Sequence, residues 1–541
     1  MTSAATQALS PAQIAFAYHT RTKHSLERYA AGPETLDWDA QPNPFREYAD
    51  AKRTLLPLPA EKPATSMAQV YAAGSIPPAP LTVASVGMLL ELSLGLAAWK
   101  EYGPDRWALR CNPSSGNLHP TEAYVLASNI AGIDDGLHHY VSRDHALEWR
   151  YEPTRGHEGP ARLWIGLSSV HWREAWKYGE RAFRYCQLDV GHALGAIRYA
   201  AGALGWTARV VDGVGDNALA ALLGLNRNED FAKAEREDPE VLIAIDAAPA
   251  EADTSDDRGL PDDWLARSER WTGSANLLDP HPMYRWPVIE EVSQATRTCK
   301  SDPAVTIETY PPLPKMSEAV AAHIIKSRRS AQRFDAKGSM SADAFFRLLD
   351  PLLARPVAPW DLWGFTPRIH PVFFVHRVEG LEAGLYALPR HAAAEQSLRA
   401  AMRADFAWQR LEAAPAHLPL FKLAAADCRT VAKTVSCHQA IASDSCFSLS
   451  MLGEFEPIVA HNAWRYRQLH WEAGLLGHVL YLEAEAAGLR GTGIGCFFDD
   501  SLHTLLGIES REFQTLYHFT VGSPLTDNRI TTLPAYAEAR E

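Results

Sequence analysis

The chain contains an internal repeat, and this feature restricts its fold more than any other. The stretch "GWTARVVDGVGDNALAALLGL" (205–225) returns as "GLRGTGIGCFFDDSLHTLLGI" (488–508). Both copies start at glycine, both end in Leu-Leu-Gly, and Asp216 in the first copy aligns with Asp499 in the second. Self-similarity at one offset indicates a structural unit that occurs twice.

A second pair of segments repeats in the same order. "FRYCQL" (183–188) returns as "WRYRQL" (464–469), which aligns Arg184 with Arg465. Comparison of the offsets along the chain places about 33 additional residues of the second copy within 390–460. At 541 residues the chain is also too long for one ordinary domain.

The pattern of apolar residues predicts the same elements in each copy. A strand (119–128, 371–377) precedes a long helix (187–204, 468–487), and a short strand and a small helix follow. This order predicts an α+β fold with an antiparallel or mixed sheet.

Composition divides the chain into an N-terminal arm, two copies, a connecting segment and a tail. The predicted boundaries are 1–76, 77–250, 251–314, 315–530 and 531–541. The connecting segment is rich in Asp, Glu and Pro, yet it is too aromatic for a free linker. We expect its rings to dock on the protein surface: Trp264, Trp271, Tyr284 and Trp286.

Net charge and the N-terminus restrict partners and location. A net charge of −13 disfavours a nucleic-acid partner, because an acidic chain repels phosphate. The apolar stretch 81–99 carries Glu91 near its centre and has one apolar helical face, which predicts a half-buried helix of a soluble core rather than a membrane span. No secretory signal is present at the start, so we expect a cytoplasmic protein. Seven cysteines without a C-x-x-C pair indicate reduced thiols.

A basic cluster begins the second copy. In "SEAVAAHIIKSRRSAQRF" (317–334), Ser317 is a candidate helix N-cap, and Arg328, Arg329 and Ser330 follow the apolar face of the helix. Basic residues can simply complement the helix C-terminus. Alternatively, paired guanidinium groups and a hydroxyl match the oxygens of a phosphate.

A short loop of small polar residues lies in the first copy. "RCNPSSGNLHP" (110–120) holds Pro113, Ser114, Ser115 and Asn117. It is either a serine-rich turn or a ligand loop, in which small residues let the backbone approach a ligand while the hydroxyl and amide groups bind it.

Taken together, "PSSGN", "IIKSRRSAQRF" and "GLRGTGIGCFFDD" resemble the nitroreductase family of FMN-dependent flavoproteins. The likeness covers 77–250 and 315–530. "REAWKYGERAFRYCQLDVGHA" (173–193) and "GLHHY" are similar to the SagB-type dehydrogenases, a branch that includes azoline-oxidising enzymes.

The resemblance implies an FMN site made by two subunits, here replaced by the two copies of one chain. One side supplies the phosphate clamp and a C-terminal basic residue, and the other supplies the Pro-Ser-Ser-x-Asn loop. The resemblance therefore predicts two tandem nitroreductase-like domains that form an intrachain pseudo-dimer. It predicts one FMN site shared between the halves, because "DLWGFTP" (361–367) replaces the loop in the second copy and "HTRTKHS" (19–25) is a weak counterpart of the clamp. The residues assigned to FMN are Pro113, Ser114, Ser115, Asn117, Arg328, Arg329, Ser330, Gln439, Gly495, Cys496 and Arg529.

Catalytic roles are assigned to Lys177 and Tyr178 in "WKYGER". In the SagB-type branch a Lys-Tyr pair at this position handles protons, and an adjacent ammonium would lower the pKa of the tyrosine. Arg181, Arg184 and His192 could bind an acidic substrate or pair with local carboxylates. Cys437 and His438 lack further ligands at metal-binding spacing, so we expect no metal site.

Several functions remain open at this level. The first is an FMN oxidoreductase with NAD(P)H as electron donor and a small-molecule substrate. The second is a SagB-type dehydrogenase acting on azoline-like rings of a modified peptide, and the third is a non-catalytic flavin-binding pseudoenzyme. "VVDGVGDNA" (210–218) also matches the G-x-G-x-x-A pattern of a dinucleotide-binding fold, although no parallel βαβ series surrounds it.

Overall fold

The computed structural model describes residues 8–151, 159–211, 213–247, 270–298, 310–314 and 316–536. Trp264, much of the 251–314 segment and the end of the 531–541 tail lie outside these ranges. The helices are α1 Pro11–Arg21, α2 Met67–Val70, α3 Val83–Ser93, α4 His171–Tyr178, α5 Ala182–Ala203, α6 Asp216–Leu222, α7 Asn228–Phe231, α8 Pro287–Ala295, α9 Ala321–Ser327, α10 Ala342–Leu349, α11 Ala392–Ala401, α12 Arg429–Val435, α13 Ile441–Asp444, α14 Glu456–His461, α15 Arg465–Ala486 and α16 Asp499–Leu506.

The strands are β1 Tyr48–Ala49, β2 Lys52–Leu55, β3 Leu96–Tyr102, β4 Asp105–Arg110, β5 Thr121–Ser128, β6 Gly136–Val141, β7 Ala146–Tyr151, β8 Arg162–Ser169, β9 Thr207–Val210, β10 Asp238–Asp246, β11 Ser274–Ala275, β12 Met340–Ser341, β13 Ile369–Val375, β14 Val378–Glu379, β15 Gly384–Ala387, β16 Gln409–Arg410, β17 Phe421–Ala425, β18 Phe447–Glu454, β19 Arg490–Ile494, β20 Phe513–Gly522 and β21 Thr531–Leu533.

Two seven-stranded sheets dominate the fold, and six strands of each follow the same order. The edge strands β2 and β16 differ, because β2 lies in the N-terminal arm and β16 lies between β15 and β17. The first runs β2-β7-β6-β5-β8-β10-β9 and the second β16-β17-β15-β13-β18-β20-β19. Every pairing in both sheets is antiparallel within the described residues. The α+β prediction is therefore confirmed, in its antiparallel form. The dinucleotide-binding alternative at 210–218 lacks the parallel strands it needs, because β9 pairs antiparallel with β10.

The two long helices, α5 and α15, have 22 residues each and cross at a pair of glycines. A Cβ on Gly191 would lie 2.1 Å from the carbonyl oxygen of Trp471, and one on Gly474 would lie 2.1 Å from the carbonyl oxygen of Leu188. Only glycine permits two helix backbones to approach this closely. This crossing joins the halves of the chain through the centre of the core.

Reciprocal ion pairs flank the crossing. Arg184 Nη1 on α5 lies 2.8 Å from Asp499 Oδ1 on α16, and Arg467 Nη1 on α15 lies 2.5 Å from Asp216 Oδ2 on α6. The structural counterpart of Arg184 is therefore Arg467, and the alignment with Arg465 was wrong by two positions. The same contacts give Arg184 a structural role with a carboxylate rather than with an acidic substrate.

The helix predicted over 81–99 is shorter than expected. It ends at Ser93, and the chain continues into β3. The cause is Gly95, whose Cβ would lie 2.8 Å from the Cα of Glu91, so the chain can fold back tightly at this point. Glu91 is buried and pairs with Lys62 and Lys326.

Ser317 does not cap the helix that carries the basic cluster. Residues 317–321 run extended beside residues 65–68, with Met67 N donating to Ala319 O and Ala321 N donating to Thr65 O. The helix consequently starts at Ala321 with Val320 as its N-cap.

The described rings of the connecting segment are packed. Trp271 stacks on Tyr151 with ring centroids 5.0 Å apart, and Trp286 stacks on Tyr284 at 5.8 Å. In the second copy, α11 and β16 precede β17, and α12 and α13 separate β17 from β18, so these elements occupy the predicted insertion. Within the part of the chain that the structure covers, no helix is both long and apolar enough to cross a bilayer.

Candidate functional site

A cavity of about 600 Å³ lies between the two halves. Its walls come from the β4–β5 loop, α5, the segment after α9, α15, β19 and the chain before β21. The sequence-predicted residues that line it are Pro113, Ser114, Ser115, Asn117, Tyr178, His192, Arg328, Arg329, Ser330, Gln439, Gly495 and Cys496. Residues more than 200 positions apart in the sequence therefore share one cavity. Lys177 and Arg529 are not among the lining residues.

The Pro-Ser-Ser-x-Asn loop is held from below by α5. Ser115 donates its backbone N–H and its hydroxyl to Asp189, both at 3.0 Å to Oδ1. Ser114 Oγ accepts the backbone N–H of His119, and Asn117 Nδ2 donates to Ala108 O. These bonds fix the loop, so the side chains that were expected to meet a ligand are also used to shape it.

The clamp residues follow directly on α9. Arg328 is buried and donates to the carbonyl oxygens of Arg110 and Cys111 in the other half of the chain. Arg329 Nη1 donates to the carbonyl oxygens of Lys326 and Arg328. Neither Arg328 nor Arg329 lies within ion-pair distance of a carboxylate of the described residues.

Because no carboxylate of the described residues lies at ion-pair distance to offset burial, the pKa values of Arg328 and Arg329 are lowered. Burial, together with Arg328, lowers the pKa of Arg329 to about 10, and burial lowers that of Arg328. Two further cations line the same end of the cavity, Lys100 and Arg490, and the pKa of Lys100 is lowered by burial and then by Arg329 and Arg490. A bound anion would relieve the mutual destabilisation of these cations.

Another wall of the cavity is formed by β19 and the residues that follow it. Gly493 N donates to Tyr481 Oη, which also bonds Ser330 Oγ at 2.8 Å. A Cβ on Gly493 would lie 1.8 Å from Tyr517 Oη, and one on Gly495 would lie 2.2 Å from Tyr185 Cε1. Glycine at these two positions is therefore what lets Tyr517 and Tyr185 pack against the backbone of this wall.

Tyr178 and Lys177 differ from the expected pair. Tyr178 Oη lies over the loop, 2.5 Å from where a Cβ of Gly116 would stand. Its pKa is raised well above the usual value by burial and by Glu174, so the expected lowering by Lys177 was wrong. Lys177 Nζ lies 5.2 Å from the ring centroid of Trp38 and 5.3 Å from that of Tyr178, and its own pKa is lowered by burial.

Two buried carboxyl groups lie beneath the cavity. Burial raises the pKa of Asp189 to about 7, and Asp189 also lines the cavity. Glu174 on α4 is fully buried, and neither of its carboxyl oxygens accepts a hydrogen bond from any described residue. Burial and then Asp189 raise the pKa of Glu174 well above its usual value.

Arg529 does not reach the cavity. Its guanidinium is 70% exposed, pairs with Asp527 at 2.6 Å and lies over Tyr102 at 5.4 Å.

Cys496 and Gln439 meet at the mouth of the cavity. Gln439 Nε2 donates to Cys496 O at 3.1 Å. The sulfur atoms of Cys496 and Cys437 are 2.7 Å apart. Gln439 and Cys437 belong to the α12–α13 connection, so the insertion of the second copy contributes to this site.

Other sequence-predicted residues have structural partners. Arg181 Nη1 lies 3.0 Å from Asp499 Oδ2, and Arg184 pairs with the other oxygen of the same carboxylate. His192 Nε2 bonds Tyr517 Oη at 3.1 Å, and burial lowers its pKa to about 3. These contacts favour pairing of Arg181 and His192 with neighbouring side chains over binding of an acidic substrate.

Sequence reasoning missed Lys100, Asp189 and Arg490. Asp189 had a signal, because a carboxylate within an otherwise apolar helix is rarely buried without a function. Lys100 and Arg490 had none, since strand residues of this kind are ordinarily exposed.

One group of potential metal ligands lies elsewhere, at His370, His391 and Glu454. His370 Nδ1 accepts the backbone N–H of Arg390, and His391 Nδ1 accepts that of Ala394. Each Nε2 therefore carries the proton and donates it to Glu454. Both nitrogens of each ring are thus engaged in hydrogen bonds, which leaves no lone pair for a cation.

Comparisons with known proteins agree on the fold. No family model matches the chain. Over 155 residues, 27% of this chain and 75% of the other, it is 24% identical to "Putative nitroreductase MJ1384" of Methanocaldococcus jannaschii. A crystal structure titled as a putative nitroreductase from Anabaena variabilis superposes with a TM-score of 0.66 at 23% identity, covering 95% of this chain and 99% of that chain.

A third likeness is weaker. The microcin synthetase McbBCD complex of E. coli superposes over 37% of this chain and 70% of that chain, with a TM-score of 0.28 and 16% identity. A likeness of this size carries no argument about the substrate. The stronger matches define the chain as a protein of nitroreductase-like α+β fold.

Proposed function

We propose that the chain is an FMN-dependent oxidoreductase with one FMN site, shared between its halves. One observation carries the proposal: the buried Arg328 and the half-buried Arg329 of the second half, without a carboxylate at ion-pair distance among the described residues, share one cavity with a Ser-Ser loop of the first half. Such an arrangement is costly for the free protein and is offset when a dianion binds.

The donors at one end suit a phosphate. Arg329, Lys100 and Arg490 supply cations, and Ser330 supplies a hydroxyl, all within the cavity wall. Arg328 supports this end from beneath, because its own donors are held by the β4–β5 region. The resemblance assigns the same end of the site to the phosphate of FMN.

The opposite end suits a flat ring system. The wall at Gly493 and Gly495 presents backbone, and Ser114, Ser115 and Asn117 lie across from it. We assign this space to the isoalloxazine ring, for which backbone N–H groups and small side chains are suitable donors.

The tandem pseudo-dimer is part of the proposal. Its support is the order shared by six strands of each sheet, the central glycine crossing and the reciprocal pairs of Arg184 with Asp499 and Arg467 with Asp216. We assign 77–250 to the first domain and 315–530 to the second.

Only one site is proposed, because the residues of a second site are engaged elsewhere. In the 19–25 segment, Arg21 pairs with Glu180 and Lys23 pairs with Asp500, both at 2.6 Å. In 361–367, Asp361 pairs with Arg198 and Trp363 is buried. Arg21, Lys23 and Asp361 thus already have ion-pair partners, whereas Arg328 and Arg329 have no carboxylate at ion-pair distance among the described residues.

Bound FMN would supply two-electron transfer. The residues of this chain bind the phosphate, orient the ring against β19 and hold a proton close to it. Asp189 is suited to the last task, because its pKa of about 7 allows it to gain or lose a proton at neutral pH and it lines the cavity. We propose a small molecule as substrate and NAD(P)H as electron donor.

The test is the absorption spectrum and the FMN-to-chain ratio of the purified protein after reconstitution, followed by anaerobic addition of NADPH. We expect one FMN per chain and loss of the flavin absorbance on addition. One FMN without bleaching would refute NADPH as donor and keep the site. Two per chain would contradict the engagement of 19–25, and none would refute the proposal.

A further inference from the structure

We propose that Cys437 and Cys496 form a thiol–disulfide exchange site that takes small disulfides as substrates. The site lies beside the cavity but needs no flavin, so it goes beyond the function proposed above. It is built from residues 59 positions apart in the chain, which no C-x-x-C spacing reveals.

The geometry brings the two sulfur atoms together. Cys437 Sγ and Cys496 Sγ are 2.7 Å apart, and both residues are partly exposed. Cys437 and the exposed His438 beside it both have positive φ, 52° and 58°. Two consecutive non-glycine residues in this region are uncommon, and here they turn the Cys437 side chain towards Cys496.

The pair is chemically asymmetric. The contact with Cys437 and the neighbouring His24 lower the pKa of Cys496 to about 5, although burial opposes them. The contact with Cys496 and partial burial raise the pKa of Cys437. These shifts favour Cys496 as the attacking thiolate and Cys437 as its protonated partner, the division of roles that exchange chemistry requires.

His24 is positioned to act on Cys496. Its Nδ1 accepts the backbone N–H of Ala30 at 2.8 Å, so its Nε2 carries the proton that bonds the sulfur. Residue 24 is held in place by a parallel bridge to Phe498 and by the bond from Asp499 N to His24 O. The segment 19–25, which lacks free groups for a phosphate, thus has a function in supporting the thiol.

Other charged and titratable groups lie near the cysteine pair. Arg181 favours the thiolate and donates to Gly495 O at 3.3 Å, one peptide from Cys496. Asp499 raises the pKa of Cys437, but its charge is neutralised by its ion pairs with Arg181 and Arg184. Tyr29, whose own pKa is raised, stays protonated beside Cys437.

The reaction is balanced without another co-reactant. The Cys496 thiolate attacks one sulfur of a disulfide RSSR, which breaks the S–S bond, releases RS⁻ and leaves RS attached to Cys496. Cys437 loses its proton and attacks the Cys496 sulfur, which releases the second RS⁻ and forms the Cys437–Cys496 disulfide. RSSR gains two electrons and two protons and becomes two RSH, while the cysteine pair is oxidised by two electrons.

The first experiment uses the full chain, anaerobically, in buffers of reduced and oxidised glutathione, with and without added FMN. Acid quenching, intact mass and peptide mapping then report the thiols. We expect excess oxidised glutathione to remove two hydrogen atoms and to join the peptides that contain residues 437 and 496. Absence of this cross-link would overturn the proposal. The readout is independent of flavin, so a chain that binds no FMN can still pass this test.

Variants separate the two roles. Cys437→Ala should retain one glutathione on Cys496, because the second thiol is missing, and Cys496→Ala should form no adduct at position 437. Cys428→Ala is the matched control, since Cys428 is buried and its pKa is raised to about 11, and it should behave as the unmodified chain does. Equal adduct formation in Cys437→Ala and Cys496→Ala would refute the asymmetry.

A rate measurement on the unmodified chain needs no variant. At pH 6 a thiol of pKa about 5 is almost fully ionised, whereas an ordinary thiol of pKa about 8.5 is about 0.3% ionised. The lower nucleophilicity of the low-pKa thiolate offsets most of this roughly 300-fold excess, with a Brønsted slope of about 0.45. We expect Cys496 to react about tenfold faster than a cysteine in a free peptide with a small aromatic disulfide. A rate equal to or below that of the peptide would overturn the proposal.

Discussion

Substitution of Arg329 by Ala tests the anion site directly. Arg329 lines the cavity, is half-buried, and has no carboxylate partner among the described residues. Its removal deletes a charged donor without leaving a buried carboxylate unpaired, so the effect on folding should be small. The effect on binding of a phosphate should be large.

The magnitude follows from the type of bond. A hydrogen bond to a charged group contributes about 1.5–3 kcal/mol. At about 1.4 kcal/mol for each tenfold change, the Kd for FMN should rise about 10- to 150-fold. Riboflavin has the same ring without the phosphate, so its Kd should change less than about twofold.

The assay is quenching of flavin fluorescence on titration with protein freed of cofactor. Arg333→Ala is the matched control, because Arg333 belongs to the same segment, carries the same charge and is exposed outside the cavity wall. Its Kd for FMN should stay within about twofold of the unmodified chain, since exposed charges at this distance are screened. An unchanged Kd for FMN in Arg329→Ala, or an equal loss for riboflavin, would refute the assignment of this end to a phosphate.

Two further predictions concern the core and a buried carboxyl. Gly474→Ala should cost about 3 kcal/mol or more of unfolding free energy, because its Cβ would meet the backbone of Leu188, whereas Gly32→Ala, with open space around it, should change it by less than about 0.5 kcal/mol in denaturant titrations. Asp189→Asn should raise the melting temperature more at pH 8 than at pH 5. The raised pKa of Asp189 means that the unmodified protein loses stability as pH rises from about 4 to about 7, and parallel pH profiles of melting temperature would contradict this.

Much of the architecture could be predicted from the repeat. Two sheets with six equivalent strands and two long helices follow from segments that recur in order, because apolar periodicity is a local property. The limits of α3 and α9 could not be predicted so well. They depend on the tight turn at Gly95 and on pairing of residues 317–321 with residues 65–68, which are contacts made only in the folded chain.

Some residues of the site could be predicted from the sequence and others could not. The loop at 113–117 and the clamp at 328–330 were found as motifs, and the structure brings them together. Lys100 and Arg490 lie on β3 and β19, and Cys437 approaches Cys496 from the inserted segment, so nothing in their local sequence marks them. The pKa of Tyr178 depends on burial, and sequence alone gives no measure of burial at that position.

The crossing of α5 and α15 at Gly191 and Gly474 also bears on how such a chain can diverge. If two identical polypeptides met at this crossing, every substitution would appear in both active sites at once. In one polypeptide, a change in either half alters one site alone, and the stoichiometry of the halves is fixed at synthesis. The buried crossing can remain constant while residues away from it change. In this chain such residues form one cavity and the cysteine pair at its edge.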